Sequence, residues 1–268
     1  MITRRAVVFG GLGVIGLAAA GCSSYQVTGT IRTGTLDSRY TGGAAGWALI
    51  QPPGYERARL PVLVTLHARG SDHTGVYTGL HLDRYLAHAV AQGLPPFAIA
   101  SVDGGESSYW HPRDGTDPAG MVIHEFLPLL ARHGLITSRI GLYGWSMGGY
   151  GVLYLAERLR RDRVAVAVAQ SPAIWHHGWQ SAAGAFDNAE DWRQHNIWPH
   201  LSALRGIALE IDCGATDGFA PVTRDLRARI RPTPAGGIEP GGHDAAFWTS
   251  QAPAAIRFVG HHLAHVRR

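Results

Sequence analysis

Ile140-Gly141-Leu142-Tyr143-Gly144-Trp145-Ser146-Met147-Gly148-Gly149 lies near the middle of the 268-residue chain and reads as a strand, a tight turn and the start of a helix. The first four residues form a short apolar run of the kind that is buried on both faces of a sheet. A helix is expected to begin directly at Met147. Gly144-Trp145-Ser146-Met147-Gly148 fits the pattern G-x-S-x-G. On its own that pattern is weak, because glycine and serine are common. Between a buried strand and a helix it marks a nucleophile elbow, a sharp turn that holds a serine in a strained backbone conformation at the end of a sheet. Residues two before and two after the serine must be small so that strand and helix can approach, and Gly144, Gly148 and Gly149 meet that need.

Outward from this turn the chain alternates. Strands are expected over 27–36 (an edge strand, broken at Gly42-Gly43), 47–50, 61–66, 97–102, 140–143, 164–168 and 207–211. Helices are expected over 80–91, 121–132, 147–160, 221–230 and 245–263. Strand and helix in turn imply an α/β fold, a mostly parallel twisted sheet with helices on both faces. One stretch breaks the alternation. Residues 173–204 hold Trp175, Trp179, Trp192 and Trp198, half of the eight tryptophans, and His176, His177, His195 and His200. It reads as an insertion over the C-terminal edge of the sheet, the edge at which such folds bind ligands.

A serine hydroxyl needs a base, and the base needs an orienting acid. For an elbow of this kind the chain order is Ser, acid, His. The loop after the strand at 207–211 reads Asp212-Cys213-Gly214-Ala215-Thr216-Asp217-Gly218-Phe219 and holds two competing aspartates. Asp212 ends the strand and could cap the loop. Asp217 lies inside the loop, where a side chain can reach across to a histidine, and is the expected acid. His243, after Gly241-Gly242 and just before the last helix, is the expected base. His261, His262 and His265 sit at the far end of that helix. His67 ends the strand at 61–66 in the region of the oxyanion hole. There the expected donors are the Met147 N–H and an N–H of Arg69 or Ala68, and the Arg69 side chain could also meet an anionic substrate group. Tyr109, Trp110 and Trp145 are expected to rim the substrate. The fifteen histidines are scattered and include no H-E-x-x-H, so neither a metal nor another cofactor is expected.

The N-terminus reads as an export signal. Met1-Ile2-Thr3-Arg4-Arg5 precedes fifteen residues, 6–20, without charge, and Gly21-Cys22 follows. A membrane span needs roughly 20 apolar residues, so this run is too short and matches a secretory signal. The arginine pair resembles a twin-arginine signal, and Ala19-Ala20-Gly21-Cys22 resembles a lipobox. The expected organisation is a signal peptide over 1–21, a tether over 22–26 and one domain over 27–268. A lipid on Cys22 would hold the protein at the outer face of the cell membrane; ordinary secretion and an uncleaved N-terminal anchor are the alternatives. With Cys22 lipidated, Cys213 has no partner for a disulfide.

Composition agrees with a single globular domain: 46% of the residues are hydrophobic and 16% charged. The 24 basic residues are all arginine, against 20 acidic ones, and form no basic stripe, so nucleic acid is not an expected partner.

With these residues placed, the chain resembles the esterase D branch of the α/β-hydrolases, which includes S-formylglutathione hydrolases, feruloyl and acetylxylan esterases, and the actinobacterial mycolyltransferases. The carrying stretches are Pro52-Pro53-Gly54-Tyr55, 61–67, Asp103-Gly104-Gly105-Glu106-Ser107-Ser108-Tyr109-Trp110, 144–149, 213–219 and 241–243. The resemblance implies an α/β-hydrolase fold and supports Asp217, which lies just before an aromatic residue, as the acid. The mycolyltransferases use a glutamate there and carry a trehalose-binding apparatus not found in this chain. The implied activity is that of an exported serine carboxylesterase acting on an ester of a carbohydrate-like or small alcohol, with an aryl or short acyl group of about two to six carbons, as aromatic rims with polar tips suit. The alternatives are an acyltransferase of the same chemistry, a serine peptidase, or a non-catalytic cell-envelope lipoprotein.

Overall fold

A computed structural model describes residues 29–266 of the chain. The expected signal peptide, the tether and Cys22 lie outside the described residues.

Eight strands form one sheet: β1 (Thr30–Ser38), β2 (Gly43–Gln51), β3 (Pro61–Leu66), β4 (Ala98–Val102), β5 (Ile136–Trp145), β6 (Val164–Gln170), β7 (Ala208–Gly214) and β8 (Ile238–Glu239). Their spatial order is β1-β2-β4-β3-β5-β6-β7-β8. β1 pairs with β2, and β2 with β4, antiparallel; from β4 to β8 every pairing is parallel. The helices are α1 (Gly75–Thr78), α2 (Leu82–Ala91), α3 (Pro118–Met121), α4 (Leu127–Arg132), α5 (Met147–Arg163), α6 (Ala189–His195), α7 (Ala220–Arg229) and α8 (Ala245–Leu263).

Alternation along the strands explains why the central ones are apolar throughout. Val62, Val64 and Leu66 of β3 face a core built with α5 and the α3–α4 segment, whereas Leu63 faces a second core built with α2 and α8. Val166 and Val168 of β6 join α8, and Ala167 and Ala169 join α5. A strand covered by helices on both faces has no side left for polar residues.

The elements follow the sequence pattern with several differences, among them the short α1 and β8, which the pattern did not mark. β5 starts at Ile136, four residues earlier than the apolar run, because Ile136 already pairs with Pro61 of β3; the register then shifts, and regular pairing resumes at Leu63↔Gly141. Gly42 and Gly43 do not end the edge region; they close a β1–β2 hairpin whose register runs from Ser38↔Gly43 to Thr30↔Gln51. The helix before β5 contains a π-helical turn at Val122–Phe126. In α5 the helical geometry breaks at Arg160, whose φ is 56°.

The insertion between β6 and β7 holds α6 and two 3₁₀ segments, Gly178–Gln180 and Trp198–Leu204.

Candidate active site

The elbow is built by backbone contact. A Cβ on Gly148 would run into the Leu66 carbonyl, and one on Gly144 into the Gly148 carbonyl. With both glycines present, α5 starts hard against β3, and Ser146 is left at the turn with φ 54° and ψ −117°. That left-handed φ is costly for a residue with a side chain. Its surroundings hold it in place. The Ser146 N–H donates to the Gln170 carbonyl at 2.9 Å, and its own carbonyl accepts from the N–H groups of Tyr150 at 3.1 Å and Ala173 at 3.0 Å.

Two further loops meet Ser146. The first follows β7 and carries Asp217; the second leads into α8 and carries His243. Thr216 ties them together, donating to the Gly241 carbonyl through its N–H at 3.0 Å and its hydroxyl at 2.8 Å. Just beyond His243, Asp244 caps α8 by accepting from the Phe247 N–H at 2.9 Å. With its loop fixed at both ends, the imidazole spans the site. Its Nδ1 lies 2.7 Å from Asp217 Oδ2 and its Nε2 lies 2.8 Å from Ser146 Oγ. With the aspartate ionised, Nδ1–H donates to it and Nε2 accepts from the serine hydroxyl.

The two aspartates of the β7 region are thereby distinguished. Asp217 is buried, and burial works to raise its pKa. The His243 hydrogen bond and the Phe219 N–H, which donates to Oδ1 at 2.8 Å, outweigh burial and bring the carboxyl below its usual value. Asp212 points elsewhere. It accepts from the Gly237 N–H at 3.0 Å and sits beside Glu210, and burial of the pair pushes both carboxyls up.

Ser146, His243, Arg69, Tyr109 and Trp145 line one cavity of about 530 Å³. The Arg69 guanidinium donates to the Ala183 carbonyl at 3.3 Å, which links the loop after β3 to the insertion. Burial raises the Tyr109 phenol above its ordinary range, against the opposing charge of Arg69. Met147 occupies the first position of α5 next to the serine.

Trp110 does not rim the substrate. Tyr109 and Trp110 both adopt left-handed backbone, with φ 53° and 57°. The chain reverses there and drives the Trp110 indole into the core, fully buried against Gly104 and Gly151. Its Nε1–H donates to the His67 carbonyl at 3.1 Å. His67 is a structural link as well. It accepts from the Gly104 N–H at Nε2 (3.0 Å), so Nδ1 carries the proton donated to the Ala68 carbonyl at 2.8 Å. Burial lowers its pKa and keeps it neutral.

Nor do the tryptophans of the insertion enter the cavity; Ala173 and Ala182 represent it there. Trp175 packs on Tyr109, Phe186 and Phe219, and its carbonyl accepts from the Trp198 Nε1–H at 2.6 Å. The insertion is pinned from below by a buried cluster, His111, Asp191 and His195. His195 Nδ1 lies 2.6 Å from Asp191, and the two imidazoles stack 4.6 Å apart at 24°. Both His111 nitrogens face backbone carbonyls, of Pro112 at 2.9 Å and Ala185 at 3.0 Å. His111 Nδ1 lies 3.6 Å from the same Asp191 carboxylate, so the cluster staples the loop after β4 to α6.

The cavity wall includes three large residues for which the sequence carried little signal: Leu80, Phe219 and Trp248. Trp248 lies one turn into α8 and meets the His243 ring edge-on at 5.1 Å. Its place just after the histidine loop is the clue that could have marked it.

A family model described as "Putative esterase" matches residues 38–230, which include Ser146 and Asp217 and stop short of His243. No curated protein matches the chain. Solved structures do. A ferulic acid esterase is similar at a TM-score of 0.75 and 21% identity, over 88% of this chain and 99% of that one. An S-formylglutathione hydrolase from Staphylococcus aureus is similar at 0.71 and 20%, over 87% and 99%. A CE1 ferulic acid esterase from Anaeromyces mucronatus, in complex with ferulic acid, is similar at 0.69 and 18%, over 91% and 97%. At these identities the likeness is one of fold, the α/β-hydrolase fold.

Proposed function

The chain belongs to the Esterase family, and from that membership we propose that it is a serine carboxylesterase working through Ser146, His243 and Asp217. The observation that carries the mechanism is the continuous hydrogen-bonded chain from Ser146 Oγ through His243 to Asp217, at 2.8 and 2.7 Å. Ser146 Oγ attacks the ester carbonyl while His243 Nε2 takes its proton. The imidazolium then protonates the departing alkoxide, which leaves as the alcohol and an acyl-serine. Asp217 holds Nδ1–H and stabilises the imidazolium. In the second half a water takes the alcohol's place: its oxygen attacks the acyl carbon while Nε2 takes its proton, and the bond to Ser146 Oγ then breaks as Nε2 returns that proton to the serine and the acid leaves. The N–H groups of Met147 and Arg69 supply the oxyanion hole, with the α5 N-terminus adding its favourable dipole.

The substrate is a small ester with an aryl or short acyl group. A cavity of about 530 Å³ walled by Leu80, Trp145, Phe219 and Trp248 gives such a group flat apolar surfaces. Similar folds in ferulic acid esterases add weight to the aryl option. The test is kcat/KM across p-nitrophenyl esters of increasing acyl length, with an aryl ester alongside. A maximum at short or aryl groups is expected, and a steady rise to long chains of about sixteen carbons would contradict it.

We further propose export, with lipid on Cys22 placing the enzyme at the outer face of the cell membrane. The support is the Arg4-Arg5 pair, the uncharged run 6–20 and the Ala19-Ala20-Gly21-Cys22 stretch. Cys22→Ala is expected to move the protein from the membrane fraction to the soluble one. Wild-type protein free in the medium with an unmodified N-terminus would contradict lipidation.

A further inference from the structure

The catalytic cavity has two unlike sides. Leu80, Trp145 and Trp248 belong to the core on the α2–α8 face of the sheet and give it an apolar wall. Tyr109, Ala182 and Phe219 belong to the core on the α5 face, where the insertion lies, and Arg69 joins them by reaching the Ala183 carbonyl. Among the described residues that line the cavity, Arg69 is the one with a permanent charge. The acid of the site, Asp217, has a fully buried side chain and is already bonded to His243. The cavity therefore offers a substrate a cation and no anion.

Arginines that serve the fold in this molecule have their forks filled. Arg227 donates to the carbonyls of Ile211, Ala235, Pro234 and Gly236. Arg113 meets Asp187 through Nε and Nη2, and the Ser107 and Gly184 carbonyls through Nη1. Arg69 is held more loosely, by a bond from Nη1 to the Ala183 carbonyl at 3.3 Å with the Tyr109 phenol close by. Its guanidinium carries five N–H donors, more than these neutral neighbours take. Among the described residues the arginine–carboxylate pairs are those of Arg39, Arg113, Arg161 and Arg193, and Arg69 is in none of them. A solvated arginine elsewhere on the surface would signify nothing. This one holds the fixed charge of the reaction cavity, and its own N–H is assigned to the oxyanion hole. The guanidinium thus stands one side chain's length from the reacting carbonyl, turned toward the insertion. A planar fork matches a carboxylate through two parallel N–H···O bonds, and one cation balances one negative charge.

We propose that Arg69 selects esters that carry a carboxylate a few bonds from the scissile carbonyl, on the half of the substrate that lies toward the insertion, while the uncharged half rests against Leu80, Trp145 and Trp248. The inference rests on the esterase reading of Ser146 and adds the charge of its substrate.

The experiment measures kcat/KM for two matched pairs of esters. Mono-p-nitrophenyl glutarate against p-nitrophenyl pentanoate places the charge on the acyl half; 4-acetoxybenzoate against methyl 4-acetoxybenzoate places it on the alcohol half. Wild type is expected to favour the charged member of one pair, and that pair identifies the half that faces the insertion. In Arg69→Gln the charged-to-neutral ratio of the same pair is expected to fall about tenfold or more, the scale of a charge-assisted hydrogen bond, and in Arg69→Lys to fall less. A general loss from disturbing the oxyanion loop cancels in the ratio. Ratios that Arg69→Gln leaves unchanged overturn the proposal. A second measurement needs no variant. Raising sodium chloride from about 0.01 M to about 1 M is expected to lower the wild-type ratio, because screening weakens only the charged contact; a ratio indifferent to salt overturns the proposal. Wild type that hydrolyses the neutral esters and shows no preference for charge in either pair overturns this inference and leaves the esterase reading standing. Wild type that hydrolyses none of the four overturns both.

Discussion

Asp212 and Asp217 are separated by four residues, both are buried, and their carboxyls shift in opposite directions. Asp212 lies at the end of β7 beside Glu210, where one N–H, from Gly237, reaches it and a second carboxyl crowds it. Asp217 lies in the loop beyond, where the Phe219 N–H and the His243 ring each donate to one of its oxygens. Depth of burial therefore does not separate the two regions. The donors and the neighbouring charge do: a carboxylate given one hydrogen bond per oxygen is held below its usual range indoors, and one packed against another acid is pushed up. For an acid that must face an imidazolium, only the second of the two sites will serve.

The largest expected effect breaks the comparison by removing one charge at a time. Asp217→Asn presents an amide to Nδ1 and favours the wrong imidazole tautomer, so kcat should fall about 10⁴-fold. Asp212→Asn keeps an acceptor for the Gly237 N–H, and its loss should stay under about tenfold. Steady-state ester hydrolysis by the two variants measures both, and equal or reversed losses would move the acid to Asp212.

A smaller effect, on stability, sharpens it. A carboxyl whose pKa is raised on folding stabilises the fold while it keeps its proton, and that contribution is lost as pH rises through the folded value. Glu210 and Asp212 therefore make the protein less stable from weakly acidic to alkaline pH. Asp217, lowered on folding, acts with the other sign: its contribution is present above the ordinary carboxylate pKa and lost as pH falls. Glu210→Gln should flatten the decline of the thermal midpoint toward alkaline pH and leave the acid side unchanged. Parallel curves for wild type and variant would show that the pair does not carry that proton.

This contrast also shows what the sequence could express. The elbow was legible because glycine spacing and an apolar strand are local features, and because the Gly148–Leu66 approach tolerates nothing larger. Asp217 was legible from its place inside a loop, with Asp212 as a competitor that only the Gly237 and Glu210 contacts could remove. The parallel sheet was legible in the two-sided burial of β3 and β6. Trp110 was not. Its inward turn depends on left-handed backbone at two aromatic residues, a conformation that neither residue type favours, and on the space left by Gly104 and by Gly151 of a distant helix. The inner structure of the insertion was hidden for a similar reason: its staple joins His111 from the loop after β4 to Asp191 and His195 on α6, and no periodicity records a contact across about eighty residues.

The central claim is that Ser146 is a nucleophile activated by His243. Mass spectrometry of the intact protein and its peptides after brief exposure to a fluorophosphonate tests it most directly. One phosphonyl adduct on the peptide containing Ser146 is expected in wild type, none in Ser146→Ala, and a rate of labelling reduced by orders of magnitude in His243→Ala. An adduct on another residue, or labelling of Ser146 at an undiminished rate without His243, would contradict the account.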